Sequence, residues 1–231
     1  MCVGAYVWRL SLQILFSMET FFKNQLEYCH EIILRKRNLL PNNRAALVAI
    51  SGIDASGKGC VAQQLVDRLH HSAFKTVYIN VDSWLNPPAV RFSSDQKAIH
   101  FYHQGLRLDD MFRLVIDPLK GYKTVAARVP LIHETDTEFH WEDVFYENVE
   151  IIILEGIFLF KQALKKKYDI RIWIECSFDV ALDRALKRGQ EQLTKEDTIR
   201  AYETIYFPAQ KIHFDLDDPR DRVDFTFLND R

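Results

Sequence analysis

Residues Ala46 to Cys60 constrain the fold more than any other stretch, because an unbroken apolar run, Ala46-Leu47-Val48-Ala49-Ile50, leads directly into G-I-D-A-S-G-K-G-C. These nine residues, Gly52, Ile53, Asp54, Ala55, Ser56, Gly57, Lys58, Gly59 and Cys60, match the phosphate-binding pattern G-x-x-x-x-G-K-S/T at all but its last position. In that pattern the glycines let consecutive backbone N–H groups curl around phosphates, the lysine reaches the β and γ phosphates, and the final hydroxyl ligates magnesium. Gly59 carries no hydroxyl. The flanks suit the motif. The apolar run before it reads as a parallel strand buried on both faces. After it, Val61, Leu65 and Leu69 recur every four residues beside Ala62 and Val66, marking one face of a helix whose N-terminal dipole faces the phosphates. Nucleotide binding is expected here rather than an ordinary glycine turn.

The chain has 231 residues, 48% of them hydrophobic, enough for one large domain with a substantial core. Its 30 basic and 32 acidic residues nearly cancel, and no basic tract with interleaved aromatics marks a nucleic-acid surface. A small-molecule substrate is expected instead; the oligomeric state, a homo-oligomer included, stays open. Cys2, Cys29, Cys60 and Cys176 form no C-x-x-C pair, so free thiols in a reducing, cytoplasmic setting are expected. Residues 1–17 are apolar, but Arg9 and Gln13 interrupt them and a membrane span needs about 20 largely apolar residues. They lack the architecture of a secretory signal and read as an extra segment, or as the product of a start assigned upstream of Met18.

Glu19 to Arg37 reads as a helix that, with residues 1–44, precedes the main domain at 45–231. Thr76 to Val81, Ile151 to Leu154, Ile170 to Glu175 and Val223 to Leu228 read as further strands. Phe178 to Arg188 and Glu196 to Tyr206 read as helices. A long connection, about 86–148, is rich in aromatics and reads as an insert covering the substrate. Within it Asp109 to Leu119 has helical periodicity and is expected to stop at Pro118, and Val125 to Ile132 suits an arm of a hairpin. Strands alternating with helices imply right-handed crossovers: a three-layer α/β domain with a five-stranded parallel sheet, a helical lid at about 184–200, and ligands at the strands' C-terminal ends.

Carboxylates that end strands beside the loop share its rim, and Asp82 and Glu155 both qualify. Phosphoryl transfer needs a group to orient or deprotonate the acceptor hydroxyl, the role that suits Asp82. It also needs carboxylate to hold magnesium directly or through water, which suits Glu155 and, from the same rim, Asp82. Arg184 and Arg188 stand four apart on one helix face; they could close over the γ phosphate, or form a solvated basic face paired with Asp183 or Glu191. His100-x-x-His103 falls short of a zinc set, which needs four ligands. Cys60 reads as a small buried residue at the start of the loop helix.

From Met18 onward the chain resembles uridine kinase-like P-loop kinases. The likeness is carried by S-G-I-D-A-S-G-K-G at Ser51 to Gly59, V-D-S-W-L-N-P-P-A-V-R-F at Val81 to Phe92, I-I-L-E-G-I-F-L at Ile152 to Leu159, D-I-R-I-W-I at Asp169 to Ile174 and Y-F-P-A-Q-K at Tyr206 to Lys211. The closing D-P-R-D-R-V-D-F-T-F-L-N-D agrees with a bacterial branch of that family. The resemblance implies the P-loop NTPase fold, ATP and Mg2+ as cosubstrate and cofactor, Asp82 as the base, Glu155 as a magnesium holder, Arg184 and Arg188 in the lid, and residues around Pro219 near the adenine. It also makes Arg107 and Tyr122 candidates for substrate contact. The activity it implies is phosphorylation of a hydroxyl of a small metabolite, uridine or cytidine at the 5′ position. Pantothenate or a sugar phosphate as acceptor, or a regulatory nucleotide binder, stand as alternatives. Gly59 departs from the family's serine or threonine and bears on how magnesium is held.

Overall fold

The computed structural model describes residues 3–132, 136–189 and 193–230, with side chains from residue 18 onward. A first helix α1 (Val3–Leu39) begins well ahead of the expected Glu19. It is followed by β1 (Ala46–Gly52), α2 (Lys58–His71) and β2 (Thr76–Asn80). The insert comprises α3 (Pro88–Arg91), α4 (Lys97–Gln104), α5 (Leu108–Met111), α6 (Asp117–Tyr122), β3 (Val125–Leu131) and β4 (His140–Tyr146). The chain closes with β5 (Ile151–Glu155), β6 (Ile170–Glu175), α7 (Phe178–Arg188), α8 (Lys195–Ala201), α9 (Phe207–Asp217) and β7 (Phe225–Leu228).

The five expected strands form one parallel sheet in the order β2-β5-β1-β6-β7. Alternation along β1 divides the core in two. Ala46, Val48 and Ile50 face Leu26 and Ile33 of α1 and Leu65 and Leu69 of α2. Leu47 and Ala49 face the opposite cluster, with Met111, Phe112, Ala181 and Phe207. Burying both faces produces the three layers and accounts for the unbroken apolar runs of β1 and β5.

Two helices run through prolines, one of which, Pro118, was expected to stop its helix. A π turn, Phe112–Ile116, joins α5 to α6, and a second, Tyr202–Tyr206, joins α8 to α9; Pro118 and Pro208 each sit in the first turn after it. The extra residue in a π turn shifts the hydrogen-bond ladder where proline offers no N–H, so the helix continues past Pro118 instead of stopping there.

The arm expected at Val125 to Ile132 is half of an antiparallel hairpin, β3 with β4, paired from Val125↔Tyr146 to Leu131↔His140. The amide of Ile132 donates to the carbonyl of Ser83 at 3.2 Å, which holds the hairpin's end over the exit of β2. No helix among the described residues is long and apolar enough to cross a membrane. Cys29 and Cys176 are buried free thiols, whereas Cys60 is exposed, contrary to expectation, because it lies on the solvent side of α2. Cys2 lies outside the described residues.

Candidate active site

The crossing from β1 to α2 places the loop's backbone N–H groups at a helix N-terminus on the C-terminal rim of the sheet, where anions are favoured. Gly57 caps α2 in the left-handed region, φ 88° and ψ 17°, a conformation that suits a residue without Cβ. Lys58 is buried; its Nζ donates to the carbonyl of Ile53 at 3.1 Å and stands 3.9 Å from Glu155 Oε1. The loop is braced from distant parts of the chain. Asn229 Nδ2 and Arg184 Nη1 both donate to the carbonyl of Ser56, at 2.7 and 3.1 Å. Tyr202 donates to Asp54 Oδ2 at 2.5 Å, and the Asp54 amide donates to Gln210 Oε1 at 3.0 Å.

Beside the loop, β2 ends in a tight 3₁₀ turn, Val81–Trp84, capped by Asn80, whose Oδ1 accepts from the Asp82 amide at 2.6 Å. That turn lifts Asp82 onto the rim. The Asp82 oxygens open onto the cleft, yet protein surrounds them closely enough that desolvation raises the carboxyl above its ordinary value. Lys58 and Arg188 pull it down and Asp54 pushes it up. Glu155, at the end of β5, is likewise raised by desolvation against the pull of Lys58. Its Oε2 accepts from Tyr78 Oη and from Asn80 Nδ2, both at 2.9 Å.

Asp54, Lys58, Gly59, Asp82, Glu155, Arg184 and Arg188 line one cleft of about 340 Å³. A smaller cavity of about 140 Å³ adjoins it, with Asn80 in both walls, and is closed by Ser83, Trp84, Leu131, Val144 and Tyr146. The first cleft has the donors a magnesium nucleotide requires: hard carboxylate oxygens at Asp82 and Glu155 opposite a lysine and a helix N-terminus. Nothing crowds it at position 59, where a Cβ would meet only Tyr78 Oη at 3.7 Å and Glu155 Oε2 at 3.9 Å.

The arginines split. Arg184 is committed to the loop and to the carbonyl of Asn229 at 2.7 Å. Arg188 lines the cleft within electrostatic reach of Asp82. Asp183 pairs with Lys187 at 2.6 Å instead of with either arginine, while Glu191 and the part of the expected lid at 190–192 lie outside the described residues.

Arg107 lies in the insert, where it donates to the carbonyls of Leu85 at 3.3 Å and Pro130 at 2.5 Å and stacks over Phe139 at 4.4 Å; it ties the hairpin to the exit of β2. Tyr122 is not gathered with the others. It is 81% exposed at the end of α6, where neighbouring Lys120 accepts from the Ala45 amide just before β1, at the sheet's far end from the loop. His100 is occupied by the Val90 carbonyl at 2.6 Å.

Sequence reasoning missed Tyr78, Asn80, Tyr202, Gln210 and Asn229. Gln210 and Asn229 stood inside the family-like pieces. Tyr78 and Asn80 could have been found from the two-residue period of β2, which aims both side chains to one face.

A model of the phosphoribulokinase/uridine kinase family matches residues 47–198, and the chain belongs to that family. Within that family the chain is of the uridine kinase-like P-loop type. A uridine kinase of Limosilactobacillus reuteri is 26% identical over 148 residues, which span 64% of this chain and 66% of that relative, just under two thirds of its length. In shape the chain is similar to a possible uridine kinase from Bacillus stearothermophilus, with TM-score 0.71 and 16% identity over 89% of this chain and 98% of that one. A D-glycerate 3-kinase from Cryptococcus neoformans var. grubii shares the fold with TM-score 0.61 and 13% identity, over 93% and 94% of the two chains.

Proposed function

We propose that the protein transfers the γ-phosphoryl group of ATP to a hydroxyl of a small metabolite, with uridine or cytidine, phosphorylated at the 5′-hydroxyl, as the first acceptors. The observation that carries this reading is the single cleft in which Lys58, Asp82, Glu155 and Arg188 meet the loop. Residues 45–231 form the kinase unit in this reading, with 86–148 covering the acceptor and 184–200 acting as lid.

Lys58 and the loop amides hold the phosphates. Asp82 accepts the proton of the acceptor hydroxyl while its oxygen attacks the γ phosphorus and the bond to ADP breaks in line. Glu155, and Asp82 from the same rim, would hold magnesium, which when bound offsets charge on the β and γ phosphates. Arg188 adds positive charge toward the transferring group. The acceptor enters the smaller cavity, whose shared wall at Asn80 leads to Asp82. A cavity walled by Trp84 and Tyr146 with Ser83 at its edge suits a flat ring carrying hydrogen-bonding groups, which supports a nucleoside.

A second reading keeps the chemistry and changes the acceptor to another alcohol such as pantothenate or a sugar phosphate; a glycerate kinase with the same fold supports it. Acceptor-stimulated ADP release across nucleosides, pantothenate, glycerate and sugar phosphates, with identification of the phosphorylated product, separates the two. Asp82→Asn should abolish transfer while ATP still binds, and undiminished turnover would remove Asp82 from its role.

A further inference from the structure

We propose that Tyr78 supplies, from the neighbouring strand, the hydroxyl that position 59 lacks, and so holds Glu155 in place on the magnesium side of the cleft. The inference deepens the kinase reading above and rests on it.

Space does not explain the glycine. Gly59 lies in the first turn of α2 with no left-handed φ, and a Cβ there would touch nothing closer than 3.7 Å. A helical glycine weakens its helix relative to alanine, so local propensity also favours a side chain. The two atoms that such a side chain would face are Tyr78 Oη and Glu155 Oε2. A serine hydroxyl, one bond beyond that Cβ, would arrive among these same groups. The hydroxyl is therefore present in the neighbourhood, carried by another residue.

Tyr78 is placed to use it. Its register on β2 opposite Ile153 of β5 is fixed by the parallel ladder, and its Oη donates to Glu155 Oε2 at 2.9 Å. Asn80, two residues on and on the same face, donates to that oxygen at the same distance and reaches Tyr78 Oη at 3.3 Å. Two donors on one oxygen fix the carboxylate's orientation and leave Oε1 turned toward Lys58. Tyr78 is thus a positioning residue acting through Glu155.

The test uses the full chain as wild type, Tyr78→Phe, Gly59→Ser and the double variant, with a fluorescent ADP analogue titrated with and without Mg2+ and with Mn2+ binding followed by electron paramagnetic resonance. The ratio of Kd without metal to Kd with metal should fall by about five- to tenfold in Tyr78→Phe, the scale of one net hydrogen bond. In the double variant it should return to within about twofold of wild type, because the serine restores the hydroxyl. Gly59→Ser alone should change it by less than about twofold. An unchanged ratio in Tyr78→Phe, or an effect confined to acceptor KM, overturns the proposal. So does a Gly59→Ser variant that strengthens metal linkage in the wild-type background, a result that needs no tyrosine variant to fold. Wild-type protein that binds no nucleotide with or without metal overturns the kinase reading as well, which sets that failure apart from the others.

Discussion

Arg184 reaches from α7 to the carbonyl oxygen of Ser56, so the helix after β6 is hydrogen-bonded to the phosphate loop. Arg188, one turn further along the same helix, lines the cleft within electrostatic reach of Asp82. Two arginines on one face therefore have separable duties. Arg184→Ala should loosen the loop, weaken nucleotide binding about tenfold and lower Tm, since hydrogen bonds from charged donors are worth about 1.5–3 kcal/mol. Arg188→Ala should leave Tm nearly unchanged and reduce kcat by about 10²-fold or more. Parallel melting curves and steady-state kinetics distinguish the two.

Asp54 is held by Tyr202 and Gln210, which lie in the π turn and helix that follow α8. Tyr202→Phe removes one of these links without changing shape. It should cost about 1 kcal/mol of stability and raise the KM for ATP severalfold, with acceptor KM unaffected. Equal changes in both KM values would place the loss outside the loop.

At the other end of the sheet, Asp169 accepts from both terminal nitrogens of Arg44, at 2.8 and 2.7 Å, and from the Leu47 amide at 2.9 Å. Burial by itself raises this carboxyl, but the hydrogen bonds of Arg44 and Leu47 and the nearby Lys120 outweigh it, and the net shift is downward. Because the folded value lies below the unfolded one, the stabilisation is complete above the unfolded value and is lost as pH falls through the folded one. Asp169→Asn should cost about 3 kcal/mol at pH 7. Melting curves of variant and wild type should converge as the pH falls below the ordinary carboxylate range.

Filling the smaller cavity should be selective. Val144 lies on the inner side of β4 in its wall, and Val144→Phe should raise acceptor KM about tenfold or more while the KM for ATP stays within twofold. Matching losses in both would place the acceptor elsewhere.

The strands and the two rim carboxylates were legible because burial on both faces writes itself as runs such as Ile151 to Leu154, each ending at the first polar residue. β3 was legible for its apolar inner positions. Its partner β4 was not, since Glu142 and Asp143 interrupt the pattern on a strand open to solvent on one side. Pro118 was misread because a π turn, which accommodates it, has no composition of its own. Contacts such as Asn229 to Ser56 join residues far apart in the chain, and a single sequence bears no trace of such pairings. Tyr122 looked like a substrate contact because it lies in the insert, yet α6 carries it back toward the start of β1.

Asn229 meets Ser56 across 173 positions of chain. On a ribosome adding about 5–20 residues per second, the loop residues are made on the order of 10 to 30 s before the asparagine that braces them. The phosphate cradle is thus among the first parts synthesised and among the last completed. A growing chain carries the loop residues long before Asn229, just past β7, can reach the carbonyl of Ser56.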